Sequence, residues 1–189
     1  MGRRWLKALW FACLFMVAST AQATVAKALN FDELVKQSDI VIHGWVVEQW
    51  TEAPDGLPGI IYTHTVVEVA SALKGVSEER VEIRQIGGEL DGYSVRLSGS
   101  PHFHLGTEVV VFAGRDNEEA PFASVGLAQG VFYVQRRDDH IEVTRDLSGI
   151  TFYNPLIRRF SKEKMPDRLP ELIDEIQDLW SEQILKEGE

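Results

Sequence analysis

Five histidines are the side chains in this chain best suited to bind a metal or move a proton near neutral pH. His102 and His104 lie two apart in Pro101-His102-Phe103-His104. In an extended backbone that spacing sets both imidazoles on one side, about 6–7 Å apart at the backbone, a usable geometry for two metal ligands. His64 is the candidate third ligand, with Glu68 on the same side of its strand. The preferred reading is plainer: His102 and His104 are exposed loop histidines with no ligand. His43 shares a strand side with Val41, Trp45 and Val47 and reads as a satisfied core or rim histidine. His140 sits beside Asp138 and Asp139 in a hairpin turn, where solvated charge is ordinary.

Other chemistries find little support. The chain has no Gly-x-Ser-x-Gly elbow, no His-Glu-x-x-His pattern and no Gly-x-x-x-x-Gly-Lys-Ser/Thr loop. Ser98 and Ser100 stand near His102, but Ser-Gly-Ser-Pro is loop composition. Gly87-Gly88-Glu89-Leu90-Asp91-Gly92 resembles a phosphate cradle only in its glycines, and Asp91-Gly92 is a strong hairpin turn. Arg158, Arg159, Lys162 and Lys164 form a small basic cluster that reads as a solvated linker or as partners for nearby acids. Trp45, Trp50 and Tyr62 fit an aromatic rim patch for a peptide or sugar, and fit core packing equally well. No catalytic residue and no cofactor is assigned.

The elements that must position these residues follow a signal peptide. Arg3, Arg4 and Lys7 precede the apolar run Ala8–Ala18, and Ala21-Gln22-Ala23 supplies the small residues of a cleavage site. Ala26-Lys27-Ala28 is a second, poorer site. Cleavage after Ala23 removes 23 of the 189 residues and leaves 166, and the loss of three basic residues takes the formal charge from −10 to −13. The only cysteine, Cys13, leaves with the peptide. Trp10-Phe11-Ala12 is too bulky for a lipoprotein site, so no membrane anchor is expected after cleavage. The acidic balance argues against nucleic acid, whose phosphates are bound by dense Lys/Arg surfaces. The expected location is periplasmic or secreted.

Asn30-Phe31-Asp32-Glu33 opens a short helix with a capping box, Leu29 able to staple onto Leu34, and an end near Gln37-Ser38. Strands follow at Ile40–Trp50, bent at Gly44, then at Ile60–Val69 and Val81–Ile86. Tyr93–Leu97 alternates as a fourth. Val109–Ala113 is continuously apolar, as in a strand covered on both faces. Val131–Val134 and Ile141–Val143 flank a charged turn and read as a hairpin. Short strands with Gly-rich turns indicate a closed or nearly closed antiparallel barrel. A last helix runs from about Leu169 to Lys186, with Leu172, Ile173, Ile176, Leu179, Trp180 and Ile184 on one stripe, which suits packing on the barrel or binding a partner. The expected division is 1–23 signal peptide, 24–155 β-barrel domain, and 156–189 linker and helix. Whether 115–155 completes the barrel or adds to it stays open.

Three segments resemble the netrin-module and tissue-inhibitor-of-metalloproteinase class of OB barrels. Ser38-Asp39-Ile40-Val41-Ile42-His43-Gly44 is similar to that family's first strand. Val66 to Gly75 is similar to its second, running into a Lys-Gly corner, and Phe103 to Gly114 is similar to the late strand with its Gly-Thr/Glu turn. The pattern is also similar to exported bacterial proteins, some of which accompany secreted metalloproteases. The resemblance implies an OB-like antiparallel β-barrel with a short N-terminal helix and an amphipathic C-terminal helix. Members that inhibit metalloproteinases place a disulfide-tied N-terminal cysteine on the protease zinc, and no cysteine remains here after cleavage. The expected function is therefore an exported, non-catalytic binding module. Its expected partner is a protein such as a secreted protease, met by rim loops Thr51–Gly59 and Glu89–His104. The alternative is a periplasmic metal-binding or small enzyme-like protein using His64, His102 and His104.

Overall fold

A computed structural model describes residues 24–75, 78–153 and 165–188. The signal peptide and the Arg158–Lys164 basic cluster lie outside the described residues. Strand β1 is Thr24–Lys27 and helix α1 is Phe31–Gln37. Strands β2 (Ile40–Glu52), β3 (Tyr62–Lys74) and β4 (Arg80–Ile86) follow, then the short β5 (Gly88–Leu90) and β6 (Tyr93–Val95). Next come β7 (Glu108–Gly114), β8 (Ala123–Ser124), β9 (Val131–Arg136), β10 (Ile141–Thr144), β11 (Ile150–Tyr153) and helix α2 (Leu169–Glu187). The main sheet has the order β10-β9-β7-β2-β3-β4, antiparallel throughout, with β8 paired to β7 off that path. Two small ribbons stand apart: β5 with β6, and β1 running parallel to β11. The protein is thus mainly β with two helices, as its composition of short strands and Gly turns suggests.

Strand β7 shows how the core is divided. Val109, Val111 and Ala113 point into one apolar cluster, with Ile42, Val46, Val67, Ile83, Phe103 and Val131. Val110 and Phe112 point into the other, with Phe31, Leu34, Val35, Val41, Phe132, Leu172 and Ile176. Side chains alternate along a strand, so a run buried throughout must have cover on both sides. Both helices supply that cover on the second face. Asn30 accepts from the Glu33 amide at 2.7 Å, and the Glu33 carboxylate accepts from the Asn30 amide at 3.1 Å. This capping box starts α1 as the sequence requires. Leu169, Leu172 and Ile176 anchor α2 in the same core, each burial worth about 1.5–3 kcal/mol. That apolar stripe therefore packs on the sheet, but Ile184 beyond it stays exposed because the helix has run past its cover.

Gly44 bends β2 where the register against β3 shifts. A Cβ there would stand 2.1 Å from the Glu68 carbonyl oxygen, a separation no side chain tolerates. The Lys74-Gly75 corner also has a physical cause. The Lys74 ammonium is buried, donates to the Val35 carbonyl at 2.6 Å and to Gln183 Oε1 at 3.2 Å, and lies 4.9 Å from the Trp180 ring centre. It ties β3 to both helices. Gly75 turns the chain at φ +71°, with Asp39 O only 2.5 Å from where a Cβ would be.

The fourth strand expected over Tyr93–Leu97 is cut to Tyr93–Val95 and pairs with Gly88–Leu90 rather than joining the main sheet. Gly87 and Gly88, at φ +118° and +141°, turn the chain out of β4 and start the ribbon early. Strands β1, β8 and β11 are not among the strands expected from the sequence, although Ile150-Thr151-Phe152-Tyr153 of β11 is wholly β-branched and aromatic. β8 is two residues long, and β1 and β11 pair with each other in parallel.

Candidate functional site

The three histidines grouped as candidate metal ligands are not brought together. His64 sits on the face of β3 opposite Thr65. Its Nδ1 donates to Glu82 Oε1 at 2.7 Å, and its Nε2 lies 3.1 Å from Glu52 Oε1, off the line a hydrogen bond requires. Trp50, its cross-strand partner, stacks on the ring at 4.9 Å with planes 8° apart. The two carboxylates flank opposite edges of the imidazole, so they cannot converge on one ion with it. Glu68, expected beside His64, lies 3.7 Å from Arg80 instead. His102 and His104 stand on the loop before β7, whose neighbours reach Thr65 from the other face of the sheet. Among the described residues no group of three or more His, Cys, Asp or Glu is placed to hold a metal ion.

That loop is nevertheless tied firmly to the sheet. Three consecutive carbonyls are each held by a side chain from a different strand. Gln85 of β4 donates to Pro101 O at 2.9 Å, Tyr133 of β9 to His102 O at 3.0 Å, and Gln49 of β2 to Phe103 O at 3.2 Å. The Tyr133 hydroxyl also accepts from the His102 amide at 3.0 Å. Burial pushes the Tyr133 phenol above its ordinary pKa, so it keeps the proton it donates. Phe103 between these tethers is buried in the core.

Across from this loop lies the β5–β6 ribbon, fixed in the same way. Thr51 Oγ1 donates to Glu89 O at 2.9 Å and Thr63 Oγ1 to Gly87 O at 2.6 Å. The two walls flank a groove of about 640 Å3, floored by Gln49, Thr51, Thr63 and Gln85. Its walls are the Glu89–Leu97 and Ser100–His104 segments. The Ser100 hydroxyl faces Ile86 O at 3.5 Å rather than a base, which fits a loop role. A smaller depression beyond His102 and His104 is lined by Tyr133, Gln135, Thr144, Arg145 and Asp146. Hydrogen bonds from the Ser148 hydroxyl and amide hold the Asp146 carboxyl below its ordinary range.

A charged cluster that sequence reasoning missed sits on the helix-covered face. His43 continues that face one step beyond Val41, Glu108 one step beyond Val110, and Arg136 one step beyond Val134. Here His43 Nε2 donates to Glu108 Oε1 at 2.9 Å. Arg136 donates twice, from Nε at 2.9 Å and from Nη2 at 2.7 Å. Burial pushes the Glu108 carboxyl up, but the hydrogen bonds from Arg136 and then His43 outweigh it and leave the pKa below its ordinary value. His43 is thus a satisfied histidine, as its strand position suggests. The only available signal was a lone Glu opening an apolar strand.

Of the aromatic trio, Trp45 and Trp50 remain about 38% exposed, whereas Tyr62 is covered by the Arg84 guanidinium at 4.5 Å from the ring centre. The three do not form one open platform. His140 bonds Asp139 at 2.6 Å in an exposed turn. The chain matches no family profile, no curated protein and no solved structure.

Proposed function

We propose that this protein is an exported, non-catalytic binding module that meets a protein partner at the groove between the β5–β6 ribbon and the Ser100–His104 loop. The observation that carries this reading is the tethering of both walls by side chains rooted in the sheet. Polar groups that would otherwise solvate or flex are committed to holding loop carbonyls, which lowers the entropic cost of binding. The histidines whose side-chain bonds are described face carboxylates: His43 meets Glu108, His64 meets Glu82, and His140 meets Asp139. None of these pairs presents a hydroxyl for activation.

The main sheet is read as an OB-like barrel. Support comes from the far edge, where Ile83 of β4 bridges Phe122 and the Arg84 amide donates to Phe122 O at 2.8 Å, one residue before β8 pairs with β7. Residues after β8 then add β9 and β10 outside the closure. Export rests on the basic, apolar and small-residue pattern of residues 3–23. Among the described residues no helix is long and apolar enough to cross a membrane.

The test is gentle isolation from the native exported fraction, with mass spectrometry of what co-elutes. A stoichiometric protein partner, lost when Gln49→Ala and Gln85→Ala release the loop wall, is the expected result. A strictly solitary monomer under the same conditions overturns the reading.

A further inference from the structure

The groove has an unusual division of labour. Each of its floor side chains Gln49, Thr51, Thr63 and Gln85 donates to a wall carbonyl, which leaves it less to offer a ligand. The unspent hydrogen-bonding capacity lies in the backbone of β6. Among the described residues this strand pairs with β5 alone, and its Ser94 and Val95 line the groove. A strand edge with unpaired amides and carbonyls is a template for another strand.

We infer that an extended, carboxylate-bearing segment of the protein partner adds to this edge as the third strand of the β5–β6 ribbon. The inference rests on the binding-module reading and names what the groove takes. Charge selects the occupant. The chain carries a formal charge of −10, yet among the described residues the groove lining is balanced, with the Arg96 guanidinium against the Glu89 carboxylate. The Arg96–Glu89 pair spans 3.9 Å with side chains 84% and 76% exposed. Such a pair holds its guanidinium weakly and leaves it available for an incoming carboxylate. Val95, Leu97 and Phe103 provide the apolar part of the lining. A segment alternating acidic and apolar residues matches both, since side chains of a strand point to opposite faces with period two.

The experiment pans a random dodecapeptide phage library on the purified protein, then follows the selected peptide by fluorescence anisotropy and by backbone amide exchange. Enriched sequences combine β-branched residues with Asp or Glu. Bound peptide slows exchange at Tyr93–Val95, and Arg96→Glu weakens binding by about tenfold or more, the loss expected for one charge-assisted hydrogen bond. A peptide N-methylated at alternate residues loses binding while leaving the protein untouched, so the test does not depend on a variant that folds. Protection elsewhere, unchanged affinity in Arg96→Glu, or no enriched peptide overturns the inference. If Arg96→Glu still captures a native partner with full affinity, the edge assignment falls and the binding-module reading stands.

Discussion

Glu108 offers the sharpest test of how this fold manages buried charge. Its side chain is 8% exposed and accepts three hydrogen bonds from two residues, whereas Arg136 is 59% exposed. In Glu108→Gln the volume is kept but the charge is gone, and the new amide presents its own N–H groups toward two donors. A hydrogen bond to a charged group contributes about 1.5–3 kcal/mol net. Arg136 can swing into water and His43 can change tautomer to accept, so the loss falls at the low end, about 1.5 kcal/mol at pH 7. For a domain of this size that is a fall in Tm of about 3–6 °C. The pH dependence has a definite sign. The folded carboxyl is depressed below its ordinary 4.5, so the stabilisation is fully present above that value and is lost as pH falls through the folded pKa. Urea unfolding of both proteins, followed by tryptophan fluorescence at pH 7, 5 and 3, reads the difference directly. The gap should persist at pH 5 and shrink toward zero by acidification beyond the ordinary carboxylate range. Equal stability at pH 7, or a gap that does not change with pH, refutes the account of the Arg136–Glu108–His43 cluster.

Four further outcomes are expected. Gly44→Ala forces its Cβ against the Glu68 carbonyl and should cost about 2–3 kcal/mol by denaturant unfolding; a neutral result contradicts the close strand approach. Lys74→Met strands the Val35 carbonyl and loosens both helices, so stability should drop by about 1–3 kcal/mol and limited proteolysis should release the α2 region first. N-terminal sequencing of the exported protein should begin at Thr24, because a cut after Ala28 would delete β1 and strip Gln129 Nε2 of its 3.1 Å bond to Lys27 O; a start at Leu29 contradicts this. Zinc titration by calorimetry at micromolar metal should show no stoichiometric site. A 1:1 site abolished by His102→Ala and His104→Ala would revive the metal-binding alternative.

Much of the local architecture is legible in the chain because its causes are local. The capping box needs only Asn30 and Glu33 three apart. The two-sided burial of β7 follows from five apolar residues in a row, and the docking face of α2 from its helical spacing. Of the two rim loops expected to meet a partner, Glu89–His104 supplies both walls of the groove, whereas Thr51–Gly59 gives only Thr51 to its described lining. The tethers of those walls were not legible, because Gln49, Gln85 and Tyr133 look like ordinary strand residues until three strands bring them to three consecutive carbonyls.

The chain's own pattern marks the two helices and the main strands β2, β3, β4, β7, β9 and β10, whereas the short β1, β5, β8 and β11 emerge only in the fold. Tertiary structure alone decided the partners. His64 faces Glu82 and Glu52 rather than Glu68, and Glu108 meets His43 and Arg136, because cross-strand neighbours depend on register. Along β2 that register against β3 shifts between Val41 and Ile42, between His43 and Gly44, and between Val46 and Glu48. Each shift changes which side chains meet across the sheet, and a one-residue slip reverses a face. Gly44 marks the second of these shifts in the sequence, but nothing in the chain's periodicity records the other two, which are set by the packing of the folded sheet.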